Sequence, residues 1–296
     1  MEIWIAYTFL AAFMQSIRTA GQKRLSQYLS PMATTLVRYL YGVPFVVCYL
    51  VIVAQDTTPA VILHTLNSWR FLVFASLASV AQILATVWLV KIFSFRNFAV
   101  ATIFAKTEAI QTAVLGTLIF GASLSVVGWI AVLLGAVGIV FLSLTNDSQS
   151  MELKKVGFGM LSGLAFAFTA LWLREASLSL SFSFVVSAAM TLAYMVMLQT
   201  ALCLGYVFIK EREQFKVMMK HFPLALFVGA TSAVGSMGWY TAMTYENAAL
   251  VKSLGQIELV FSLLISYLFF KEKTSSRELL GMAAIVASVL VLLLVH

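Results

Sequence analysis

Apolar runs of about 20 residues, each closed by a short polar stretch, recur from one end of the chain to the other. They predict ten membrane-crossing helices, near residues 3–22, 33–54, 70–92, 98–120, 126–145, 156–175, 182–208, 222–243, 248–270 and 278–295. The first run is the least regular, because Gln15 and Arg18 interrupt it. Either that helix ends early or both side chains face a cavity within the protein, since polar groups in lipid need partners. The longest linkers are 54–69 and 209–221. In the second, charges alternate with Phe215, Val217 and Met218, which predicts a short helix lying on the membrane surface. No linker can hold a soluble catalytic domain.

Composition supports this pattern. The chain is 61% hydrophobic and only 10% charged, with a mean hydropathy of +0.97. A soluble domain carries about 25% charged residues, so an ordinary soluble fold is excluded. The net charge of +7 does not point to nucleic acid, because the basic residues sit between apolar segments rather than along one polar face. Most of the 19 Lys and Arg fall at odd-numbered linkers, among them Lys23, Arg24, Lys154, Lys155, Lys210 and Lys216. The positive-inside bias then places those linkers in the cytoplasm and both termini outside.

Several chemistries drop out. Cys48 and Cys203 lie within apolar runs, where cysteine behaves as a small hydrophobe. His64, His221 and His296 are far apart, so no metal site is expected. There is no phosphate-binding loop, so neither ATP nor any other cofactor is expected. Met1 and Glu2 run straight into apolar sequence, so no cleavable signal is expected.

The chain repeats itself. When the second half is laid on the first, Asn97 falls on Asn247, Ala99 on Ala249, Glu108 on Glu258, Leu118 on Leu268 and Phe120 on Phe270. Gly128 then falls on Gly281 after a short insertion. Matching Asn and Glu in an apolar chain is informative in a way that matching Leu is not. Each half holds an odd number of spans, so a tandem copy must insert upside down. Inverted repeats of this kind build many secondary transporters, with the solute near the midplane between the halves. The predicted fold is an all-α membrane protein of ten helices, as two inverted five-helix repeats over 1–146 and 154–296.

These residues resemble a known family. Residues 257–272, IELVFSLLISYLFFKE, are similar to the fourth-helix signature of EamA domains in the drug/metabolite transporter superfamily, with 107–121, TEAIQTAVLGTLIFG, as the first-half counterpart. Ser30-Pro31, Arg38, Gly128 and Gly281 extend the resemblance over nearly the whole chain. The family's proline after the glutamate is Ala109 in one copy and Leu259 in the other; its Gly-Glu becomes Gly121-Ala122 and Lys271-Glu272. The resemblance implies efflux of amino acids or related compounds. It also implies cytoplasmic termini, against the Lys and Arg distribution.

Glu108 and Glu258 are the leading candidates, because an ionisable group in mid-span is costly. Each can bind a proton or a cationic solute group; alternatively, each pins two helices together by hydrogen bonding. A carboxyl group removed from water protonates more readily, as a proton-coupled exchanger requires. Gln111 and Thr112 share a helix face with Glu108, and Gln256 lies close to Glu258. Arg38 suits a solute carboxylate, since a planar guanidinium grips one bidentately, though pairing with Glu108 or Glu258 competes. Lys106 can pair with a carboxylate or meet an anionic solute, whereas Lys252 is expected to snorkel to the interface. Trp88, Trp239, Tyr39 and Tyr240 suit the interfacial aromatic belt, with Trp239 and Tyr240 also candidates for stacking on a solute. Gly229, Ser232, Gly235, Ser236 and Gly238 permit close helix packing.

The expected function is secondary transport of a small polar or amphipathic metabolite across the bacterial inner membrane, outward and coupled to protons. The expected partners are that solute, membrane lipids and protons, with one chain acting as a monomer and no nucleic acid involved. Import, or a lipid-handling or scaffold role, are the alternatives; an enzyme is not expected.

Overall fold

The computed structural model describes residues 2–55, 57, 68–93, 107–122, 124–143, 153–270 and 276–295. Lys106, Asn97, Ala99, Lys271 and Glu272 lie outside them. The described residues form helices α1 (Ile3–Leu25), α2 (Pro31–Leu40), α3 (Val43–Val53), α4 (Trp69–Phe93), α5 (Glu108–Phe120), α6 (Val126–Ser143) and α7 (Leu153–Leu178). The second half continues with α8 (Phe184–Lys210), α9 (Gln214–Lys220), α10 (Phe222–Tyr245), α11 (Ala248–Leu254), α12 (Ile257–Phe270) and α13 (Ser276–Val295).

Among the described residues, five stretches are long and apolar enough to cross a membrane: Pro31–Val53, Trp69–Lys91, Gly157–Leu178, Phe184–Lys210 and Phe222–Tyr245. Shorter apolar helices, Glu108–Phe120, Val126–Gly138 and Leu279–Val291, stand at the fourth, fifth and tenth spans. The first span does not end early. α1 runs through Gln15 and Arg18 to Leu25 and buries Arg18 and Gln22 inside the protein. The surface is oily where lipid would lie, with Val51, Ile52, Leu118, Ile119, Phe208 and Ile209 all exposed.

Two predicted spans are interrupted. The second divides at Tyr41-Gly42, where Pro44 in the first turn of α3 cannot donate to the preceding turn. Ser30 caps the start of this span, accepting from the Ala33 N–H at 3.0 Å, with Pro31 at the first helical position. The ninth span divides at Gly255-Gln256. Tight bonds from Gln256 N to Ser253 O, Glu258 N to Gly255 O and Leu259 N to Gln256 O carry the chain through this turn. Glu258 therefore sits in the first turn of a half-helix, and Glu108 sits in the first turn of α5.

Helix packing follows the repeat. α4 packs along α7, and its counterpart pair under exchange of halves, α10 with α1, packs equally closely. The contacts of α6 with α13, and of α8 with α2 and α3, each map onto themselves. The contact map thus has a two-fold pseudosymmetry, and the fold is two inverted five-helix repeats in a ten-helix bundle. Ser288 Oγ donates to Ala131 O at 2.7 Å where the last helices of the two halves cross.

Small residues make the α1–α10 contact possible. A Cβ at Gly238 would stand 2.7 Å from Tyr7 O, a backbone atom that cannot swing away, whereas one at Gly205 would meet nothing within 4 Å. Gly238→Ala is expected to cost about 1–3 kcal/mol. Gly205→Ala in α8 is expected to be neutral or to gain up to about 1 kcal/mol. Thermal unfolding of the two variants in detergent checks the pair; equal effects would contradict the packing.

Candidate functional site

Between the halves the apolar core gives way to a polar seam. α1 contributes Gln15 and α10 contributes Trp239; α5 contributes Glu108, and the broken ninth span contributes Lys252 and Glu258.

The contacts form one chain. Lys252 Nζ is 2.5 Å from Glu108 Oε1, with both side chains only 14% exposed. The same ammonium lies 4.6 Å from the centre of the Trp239 ring. The indole Nε1 of Trp239 donates to Gln15 Oε1 at 2.9 Å, and Gln15 Nε2 donates to Glu258 Oε2 at 2.5 Å. The repeat-related carboxylates are therefore joined through Lys252, Trp239 and Gln15. Gly255 shapes this junction, since a Cβ there would overlap the Trp239 ring.

Two expectations are corrected here. Lys252 does not snorkel to the interface: burial beside Glu108 gives its ammonium a counter-charge and an aromatic face. Trp239, Tyr240 and Tyr39 are not belt residues, being 7%, 2% and 2% exposed.

Gln111 and Gln256 flank the chain. Gln111 Nε2 donates to Thr107 Oγ1 at 2.8 Å, and its Oε1 is buried without a hydrogen-bond partner. Gln256 is buried against Gly135 of α6, and neither of its amide atoms has a partner. Thr112, on the same face as Glu108, instead donates back to the Glu108 carbonyl at 2.8 Å.

A second cluster adjoins the first. Tyr240, next to Trp239 in sequence, donates to Gln82 Oε1 of α4 at 3.1 Å. Gln199 of α8 donates to the same oxygen at 2.7 Å. Arg38 Nη1 donates to Thr86 Oγ1 at 3.1 Å, one turn along α4 from Gln82. The proposed pairing of Arg38 with Glu108 or Glu258 is not formed. Arg18, on α1 one turn from Gln15, is buried, and its Nε has no hydrogen-bond partner.

Of the residues singled out by sequence, Glu108, Glu258 and Trp239 share the first chain, with Gln111 and Gln256 beside it. Arg38 and Tyr240 share the second cluster. Sequence reasoning missed Gln82 and Gln199, sent Lys252 to the interface and left Gln15 and Arg18 undecided. Ser79, Gln82 and Thr86 repeat at helical spacing in an otherwise apolar span, a signal that could have found Gln82.

The sequence pattern of the EamA-like transporter family matches residues 2–144 and again 153–294. The chain belongs to the EamA-like transporter family. Each half is one EamA copy, and the seam lies between the copies. One solved structure, described only as "Crystal structure of protein", is similar over 99% of this chain and 96% of its own length, at 13% identity and a TM-score of 0.75. That likeness shows a shared fold. No curated protein matches the sequence. As an EamA-like protein, the chain is a multi-pass membrane transporter of the drug/metabolite type, acting on a small-molecule solute in a lipid environment. Members of this family are in general not enzymes.

Proposed function

We propose that this EamA-like protein is a secondary transporter that exports a small polar or amphipathic metabolite across the bacterial inner membrane in exchange for protons. One observation carries the reading: repeat-related carboxylates from opposite halves meet a single polar chain on the seam between them. A pathway built from inverted repeats opens alternately on either side of such a seam.

The chain supplies a coupling route. A deprotonated carboxylate only accepts hydrogen bonds, whereas a protonated one can also donate. A proton on Glu258 therefore changes its bond with Gln15, and Gln15 holds the Trp239 indole beneath Lys252. Lys252 in turn faces Glu108. Protonation in one half is felt in the other, and the turn at Gly255-Gln256 is where the ninth span can rearrange. The unpartnered Gln111 Oε1 and the unpartnered amide of Gln256 suit polar groups of the passing solute. Units 1–146 and 154–296 together enclose the path, so a monomer suffices.

Proteoliposomes loaded with a pH-sensitive dye and challenged with amino acids, organic acids and drugs in turn test the reading. A solute-dependent proton flux is expected for at least one compound class. Solute movement indifferent to an imposed pH gradient would remove the coupling.

A further inference from the structure

The span Phe184–Lys210 ends, and the span Phe222–Tyr245 begins, at the two ends of segment 211–221, so this segment lies at the level of the lipid headgroups. It holds α9, whose two faces differ. Gln214 and Met218, four residues apart, face the protein: Met218 is 2% exposed, and Gln214 Oε1 accepts from Ser30 N at 3.0 Å. Glu211 turns the same way and accepts from Ser30 Oγ. The His221 ring stacks on Tyr28 with 4.1 Å between centres. Residues of the second half thereby clasp the turn between α1 and α2 in the first.

The other face of α9 carries Lys216, Met219 and Lys220, all exposed. Arg212 is exposed as well; its Nε donates to Phe208 O at 2.7 Å and its guanidinium lies 4.3 Å from the Phe208 ring centre. Those contacts hold its remaining donors at the end of α8. With Glu211 turned inward, Glu213 is the one exposed acid among the described residues 209–221. It meets Lys216 at 3.3 Å with the two side chains 82% and 83% exposed, and a pair so open to water offsets little charge. Apolar side chains rim the same face, since Ile209, Met219 and Phe222 are all exposed. A basic face with an apolar rim suits a membrane interface, where each part finds its match.

We infer that the outer face of α9, together with Arg212, is a binding site for the headgroup of an anionic phospholipid. Lys216, Lys220 and Arg212 take the phosphate through charge-assisted hydrogen bonds. Ile209, Met219 and Phe222 take the beginning of the acyl chains, which a free phosphate does not have. The site uses nothing in the polar seam, so it stands independently of the transport reading. Because the inner face of α9 clasps the first half, a lipid that holds α9 also holds the halves together and stabilises the fold.

The test reads binding without transport. The full-length protein in neutral detergent is unfolded thermally while phosphatidylglycerol, or phosphatidylcholine with the same acyl chains, is added. Phosphatidylglycerol is expected to raise the unfolding temperature saturably, by about 3 °C more than phosphatidylcholine. Lys216→Gln/Lys220→Gln should lose most of that difference, whereas Lys216→Arg/Lys220→Arg should keep it. Glu213→Gln removes the exposed acid and should enlarge it. Met219→Ser leaves the charge intact and should still shrink the shift, as the loss of an apolar contact requires. All these positions are exposed, so unfolding without lipid should stay near the wild-type temperature. Equal shifts from the two lipids, or a full difference in the Lys216→Gln/Lys220→Gln variant, would overturn the site. An equal shift from inorganic phosphate or from polyglutamate would also overturn it, assigning the face to a soluble anion or an acidic protein.

Discussion

Lys252→Met is expected to lower stability by about 3 kcal/mol, a large effect for a conservative change in volume. The substitution strands the Glu108 carboxylate, 2.5 Å from the lost ammonium and mostly buried, and removes the cation from the Trp239 face. Breaking a buried pair from one side leaves an uncompensated charge, whereas removing both sides leaves none. The double variant Lys252→Met/Glu108→Leu should therefore recover most of the loss. Denaturant unfolding in detergent measures both. A double variant as unstable as the single one would show that the pair is not the source of the cost.

Glu258→Gln should act differently: folding is retained while proton flux falls to the background of empty liposomes. Gln is nearly isosteric with Glu, and its carbonyl can still accept from Gln15 Nε2. What it cannot do is take and release a proton. Solute exchange without a pH gradient should survive, because the solute's polar contacts remain. Dye-loaded proteoliposomes measure the proton flux, and tracer exchange measures the solute. Proton flux at the wild-type rate would move the coupling away from Glu258.

The repeat was legible in sequence because rare residues matched: Glu108 on Glu258 stands out against an apolar background where Leu on Leu does not. The ten spans came from the apolar runs, and the special place of both glutamates followed from the repeat. The breaks were half legible. Pro44 marks the interruption of the second span, but nothing as strong as proline marks Gly255-Gln256 in the ninth. Lys252 was misread because its place near the start of a span fits snorkelling equally well. Only the packing of α11 on α5 brings it to Glu108. Gln15 and Arg18 were visible as interruptions, yet periodicity along α1 cannot say which helix lies opposite. The belt reading of Trp239 and Tyr240 failed for the same reason: their neighbours across the seam, Gln15 and Gln82, come from the other half of the chain.

The inverted pairing of the two halves is tested most directly by impermeant thiol labelling from each side of sealed vesicles. Single cysteines are placed just after the two glutamate-bearing helices, at Gly121 following α5 and at Lys271 following α12. Antiparallel copies require the two cysteines to react from opposite sides of the membrane. Reaction of both from the same side would mean that the helices run in parallel, and the shared seam between inverted repeats could not exist.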